Sequence, residues 1–178
     1  PINIDPTFGY TSAGAQSQAV SSGTIYGTSF SGPNAASVQS MSIYLGSSTS
    51  GSTLVSYILT DATTSTKLHS NGTASALGGG AQWAVCNSTT SVTPDNIVEL
   101  PPTVILASGT NQAVYSLSIN YDNDASATYV AGTDSSSITW TIRTTGRRYS
   151  IYVTYNILDR SISIDSNTTK QGVRIWPS

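Results

Sequence analysis

The chain predicts an all-β fold, an antiparallel two-sheet β-sandwich of the jelly-roll kind with extended N- and C-terminal arms. Three observations carry that expectation. Apolar residues alternate with Ser, Thr, Asn or Tyr in run after run, the pattern of strands covered on one face. The good helix formers Glu, Lys, Gln, Met and Arg are scarce, and charged residues are only 9% of the 178, against about 25% in average soluble domains. Clusters of Gly, Pro, Asn and Asp interrupt the chain at strand-length intervals.

Residues 1–21 are rich in Ser, Ala and Gln without patterning and read as an arm rather than a strand. The sandwich domain is expected over 22–156. A strand over 23–31 is followed by Met41, Ile43 and Leu45 alternating with Ser42 and Tyr44. Further strands are expected at 53–60, 81–87 and 102–106. Tyr115, Leu117, Ile119 and Tyr121 then alternate with Ser116, Ser118 and Asn120, ahead of a strand at 127–131. Ile138, Trp140 and Ile142 alternate with two threonines, and Ile151, Val153 and Tyr155 with Tyr152 and Thr154. Turns are expected at Gly32-Pro33-Asn34, Gly46 to Gly51, Gly78-Gly79-Gly80, Pro94-Asp95-Asn96, Ser108-Gly109-Thr110, Asp122-Asn123-Asp124, Gly132 and Gly146, because those residues tolerate turn conformations or cap their own backbone. Beyond about 157 one alternating run, 161–165, precedes a C-terminal docking segment, 157–178.

Charge is distributed unevenly. Six of the seven basic residues, Arg143, Arg147, Arg148, Arg160, Lys170 and Arg174, lie in the last 36 positions. The first 142 residues carry Lys67 against seven acids. Such asymmetry concerns what a domain touches, so these six residues are expected to dock on an acidic surface such as a neighbouring copy. The Arg147-Arg148 pair is expected at a hairpin tip after Gly146. Trp176, beside Pro177, reads as an interface anchor. A net charge of −2 and a pI near 5.0 argue against nucleic acid, which needs a broad basic footprint. No run approaches the roughly 18 apolar residues of a membrane helix.

Catalytic chemistry finds little footing. His69 is the sole histidine, and a Ser-His-Asp site would need a base and an orienting acid converging on a serine. Eight aspartates and one glutamate sit mostly in turn contexts, so paired-carboxylate hydrolysis is not indicated. Asp122-Asn123-Asp124, with Asp134 following, is a weak calcium candidate, but no glycine and closing glutamate complete an EF-hand loop. A polar turn is the better reading of it, and no metal or other cofactor is expected. Cys86, the only cysteine, permits no intrachain disulfide and reads as a small buried residue. Tyr44 and Tyr152 fall opposite the core positions of their strands and are candidates for an exposed or intersubunit aromatic surface. Trp140, in phase with Ile138, reads as core; Trp83 fits either face.

One order of motifs has a family look. Thr7-Phe8-Gly9-Tyr10 to Gln18 leads into Thr24-Ile25-Tyr26-Gly27-Thr28-Ser29-Phe30, then Val38 to Leu45 and Ser56-Tyr57-Ile58-Leu59-Thr60-Asp61. Val104 to Thr110 then precedes Ala113-Val114-Tyr115-Ser116-Leu117. Over residues 7–155 this resembles the jelly-roll β-sandwich modules of phage virion proteins and secreted bacterial surface proteins. Such modules share no catalytic signature, so the resemblance implies a fold and no site residues. It implies a non-enzymatic structural protein of a phage-like virion, a capsid decoration (cement) or fibre-type subunit. Its partners would be itself, as a trimer or other homo-oligomer, and other virion proteins. The alternative it leaves open is a carbohydrate-binding or adhesin module, extracellular or at a cell surface, with a glycan partner. The start at Pro1-Ile2-Asn3-Ile4 fits trimming of an initiator Met or cleavage of a precursor; the first is favoured, with synthesis without a signal peptide, and the sequons at Asn71, Asn87 and Asn167 would then carry no glycan.

Overall fold

The computed structural model describes residues 6–21, 23–33, 35–48, 56–64, 67–71, 80–87, 97–99, 103–109, 117–133 and 138–157. Among them there is no helix, and twelve strands follow in order: β1 Thr7–Gly9, β2 Gln16–Val20, β3 Thr24–Ser31, β4 Ala35–Ser48, β5 Ser56–Asp61, β6 Lys67–Asn71, β7 Gln82–Asn87, β8 Ile97–Glu99, β9 Thr103–Gly109, β10 Leu117–Thr133, β11 Thr139–Tyr149 and β12 Ile151–Ile157. Every pairing is antiparallel. The strands form one hydrogen-bonded sheet with the main order β1-β12-β4-β10-β3-β9-β5-β6.

β10 joins the two halves of that order. Its first residues pair with β2 (Leu117↔Val20 to Tyr121↔Gln16) and with β4 (Leu117↔Ser48, Ile119↔Leu45). Its last residues pair with β3 (Tyr129↔Thr28 to Thr133↔Thr24), while β11 runs along it from Tyr121 to Thr133. Between the two sets lies a bulge. Asp124 opposes Gly146 and Thr128 opposes Thr145, so Ala125, Ser126 and Ala127 have no counterpart on β11. Such extra residues bend a strand and allow it to change partners.

The strands alternate as the residues dictate. On β4, Met41, Ile43 and Leu45 are fully buried. They join Phe8 of β1, Leu59 of β5, Leu106 of β9, Ile119 of β10, Tyr149 of β11 and Ile151 and Val153 of β12 in one core. Strands from both ends of the order therefore share it. β9 is covered on both faces, because Ile105 and Ala107 belong to a second cluster with Ile25, Ala62, Val130 and Ile138, against which Trp140 packs.

Four expectations are corrected. The stretch before residue 21 is not an unpatterned arm: β1 and β2 lie in it, each held by backbone pairing with β12 or β10 rather than by its own apolar alternation. Asp122-Asn123-Asp124 and Gly132 are not turns but lie inside β10. Gly146 likewise lies inside β11, opposite the bulge, where its φ of +122° calls for glycine. Finally, Ile142 does not share the face of Trp140. Ala131 opposes Ile142 and Gly132 opposes Trp140, so Thr141 is an extra residue that reverses the alternation. Ile142 is left 43% exposed. The expected turns Gly46 to Gly51 and Ser108-Gly109-Thr110 start inside β4 and β9; their remainders, the expected strand at 161–165 and the turns at 78–79 and 94–96 lie outside the described residues.

The link from β1 to β2 lies directly on β10. A Cβ added to Gly14 would stand 2.4 Å from the Tyr121 carbonyl carbon. Gly14→Ala should therefore cost about 1–3 kcal/mol, the usual penalty for overpacking, read as a lower urea midpoint at unchanged slope. A change below about 0.5 kcal/mol, typical of surface substitutions, would show that this link does not bear on the sheet.

Candidate functional site

The outward face of β4, β7 and β12 follows from parity and register. Because Met41, Ile43 and Leu45 point inward, Ser42 and Tyr44 point outward. Tyr44 opposes Trp83 of β7, and Ser42 lies between Val85 of β7 and Tyr152 of β12. Ser42 is small enough for its neighbours to close over it, and it is 1% exposed. Above it the Trp83 and Tyr152 rings meet with centroids 5.0 Å apart and planes at 68°. Tyr44 meets the other side of Trp83 at 5.3 Å and 72°. All three are half-buried, and Val85 beside them is 46% exposed. Edge-to-face contact of this kind gives about 0.5–1.5 kcal/mol per pair beyond area burial, so the cluster is a preformed, uncharged surface. Tyr44 and Tyr152 thus share one outward face. Trp83, which the sequence left undecided, completes it, and only the β4–β7 register reveals that.

The basic residues are placed differently from expectation. Arg147 and Arg148 are not at a hairpin tip; they are strand residues opposite Asn123 and Asp122. Both have partners within the chain. The Arg147 guanidinium lies 4.8 Å from the Tyr121 ring and 5.1 Å from the Tyr129 ring, and its Nη1 donates to Gln18 Oε1 at 2.8 Å. Arg148 forms an ion pair with Asp124 and lies 5.4 Å from the Tyr10 ring. Cation–aromatic stacking and charge pairing inside the chain therefore occupy the groups expected to seek an acidic neighbour. Arg143 is exposed on β11. Arg160, Lys170, Arg174 and Trp176 lie outside the described residues, as do the side chains of His69 and Cys86.

The weak calcium candidates are likewise engaged. Asp122 accepts from the Tyr10 hydroxyl through one carboxylate oxygen and from Ala15 N, at 2.8 Å, through the other. Asp124 accepts from Ser126 N at 2.9 Å and Ser126 Oγ at 2.6 Å, which caps the bulge, and pairs with Arg148 through its second oxygen. These bonds, the Tyr10 hydroxyl first for Asp122 and Ser126 first for Asp124, hold both carboxyls below the ordinary aspartate range. Among the described residues no three His, Cys, Asp or Glu converge as a metal site would require.

Compared with known proteins, the chain matches no family model and no curated protein.

Beneath Arg147 lies Tyr149, fully buried among the rings of Tyr26, Tyr121 and Tyr129. Burial pushes its pKa up to about 12, against the pull of nearby Arg147. The geometry to Arg147 is not that of a hydrogen bond, and the hydroxyl is buried without one. Because the folded-state pKa is raised, the stabilisation is complete below pH 10 and is lost as pH climbs toward 12. Tyr149→Phe should raise stability at pH 7 by roughly 1 kcal/mol, by removing an unpaired buried hydroxyl. It should also flatten the alkaline loss, both read by urea unfolding at neutral and alkaline pH.

Proposed function

We propose that this chain is a non-enzymatic structural subunit of a phage-like virion, a capsid decoration or fibre-type protein, folded as a jelly-roll β-sandwich and acting through protein–protein contacts. One observation carries the proposal. The outward Tyr44–Trp83–Tyr152 cluster, with exposed Val85, is an uncharged aromatic surface on a paired and rigid part of the sheet. Aromatic residues are enriched and charges depleted at the centres of protein contacts. The low overall charge also suits packing of many copies, where repulsion would be costly. Homo-oligomerisation, with a trimer as the favoured form, belongs to the same proposal. So do docking roles for Arg143, Arg160, Lys170, Arg174 and Trp176. The same proposal keeps docking roles for Arg147 and Arg148, which in the single chain also contact Tyr121, Tyr129, Gln18 and Asp124.

The same rings would also suit a glycan, which is the second reading: a carbohydrate-binding or adhesin module. Sugar rings stack best on open aromatic faces, whereas here neighbouring planes stand at 68° and 72°. That geometry favours a protein partner over a row of sugars.

Val85→Asp places a charge beside the three rings, at an exposed position outside the core. Folding stability should move by less than about 0.5 kcal/mol, as at other exposed sites. Association should weaken by at least about tenfold, equivalent to about 1.4 kcal/mol, measured by sedimentation or light scattering over a concentration series. Unchanged association, together with wild-type binding that Val85→Asp abolishes on a glycan panel, would replace the assembly reading with the second one.

A further inference from the structure

The link Tyr10–Ala15 and β2 after it form a strap across the sheet, anchored at its start by Phe8 of β1 in the core. β1 pairs along one side with β12, and β2 along one side with β10. Residues 16, 17 and 19 of β2 are exposed, and Val20 is its one residue in the core. Polar contacts do the rest. Tyr10 N donates to Ile151 O at 2.8 Å, Gly14 N to Ser150 Oγ at 2.8 Å, and Asn120 Nδ2 to Gly14 O at 2.6 Å. The two ends of the link are gripped by a single carboxylate, because Asp122 accepts from both the Tyr10 hydroxyl and Ala15 N. The charged and titratable groups facing Asp122 are Tyr10 from the strap and Arg148 from β11; Asp124 on β10 engages the same Arg148. Arg147 turns to Tyr121, Tyr129 and Gln18.

We propose that residues 10–20 are a releasable strap latched by the Asp122 carboxylate, and that neutralising this carboxylate frees the strap, drawing only Val20 from the core, and uncovers the β10 edge at Leu117–Tyr121 without unfolding the rest. An uncovered edge of five residues is a template for pairing with another strand. The latch is therefore a device that makes edge pairing conditional. It does not depend on what the aromatic face binds. The direction with pH follows from Asp122 being held below the ordinary aspartate range, chiefly by Tyr10 and then by Ala15. The latch is closed at neutral pH, begins to weaken only below the ordinary aspartate pKa, and opens as pH falls through the lowered value.

Amide hydrogen exchange of the full chain tests this. In Asp122→Asn at pH 7, amides of residues 14–20 should exchange at least about tenfold faster, while those of the β9 core around Leu106 keep wild-type protection. Wild-type protein, followed as pH is lowered below the ordinary aspartate range and corrected for intrinsic exchange, should lose protection at residues 14–20 before it loses it at β9. Tyr10→Phe removes one of the two grips and should give a smaller change in the same direction. It also serves should the asparagine variant fail to fold. Protection of residues 14–20 that is unchanged in these proteins, or that is lost only together with β9, would overturn the latch.

Discussion

The fold depends on a corner at Ser150. β11 and β12 are one run of chain broken at this residue, with β11 paired to β10 and β12 paired to β4. Ser150 is fully buried, and every polar group it has is spent on holding the corner. Its N–H donates to Asn120 O at 2.9 Å, its carbonyl accepts from Tyr44 N at 2.9 Å, and its Oγ accepts from Gly14 N at 2.8 Å. A buried backbone group left unpaired would cost about 1–3 kcal/mol, so few other arrangements of the chain are open here. Tyr149 and Ile151 on either side are both driven into the main core. The corner thus ties together β10, β4 and the strap, and it sets the direction in which β12 carries Tyr152 to the outer face.

β10 meets the matching problem from the other side. It must serve β2 and β4 with one half and β3 with the other, and the bulge at Ala125–Ala127 supplies the change of direction. Asp124 holds that bulge through Ser126, and Gly146 supplies the backbone conformation opposite it. Residues that usually signal the end of a strand are here used within two long ones. Arg148 pairs with Asp124 there, while Arg147 turns to Gln18 and the rings of Tyr121 and Tyr129.

The legible parts of the chain were those where local pattern and tertiary role agree. Met41, Ile43 and Leu45, and Ile151 and Val153, alternate in sequence and are buried in the core, so the faces of β4 and β12 could be read directly. That also placed Tyr44 and Tyr152 on the opposite face. Long-range pairing decided the rest. β1 and β2 carry little alternation because the partner strand, not an apolar stripe, holds them. Ile142 kept the spacing of Trp140 and Ile138 but lost their face to one extra residue, Thr141. Trp83 could be assigned only once its opposition to Tyr44 was known. Asp122 looked like a turn residue because short acids favour turns, yet its partners Tyr10 and Ala15 are more than a hundred positions away.

Contact through an uncharged aromatic face and contact through a basic segment respond to salt in opposite ways. Charge pairing at a surface is screened, whereas apolar burial is not weakened by salt. The most direct measurement is the mass of the wild-type chain in solution at low and at high sodium chloride. Assembly through the Tyr44–Trp83–Tyr152 surface predicts a species of more than one copy that persists at high salt. A monomer under both conditions would contradict it, whereas an oligomer that dissolves as salt is raised would move the contact to the basic residues of the same proposal.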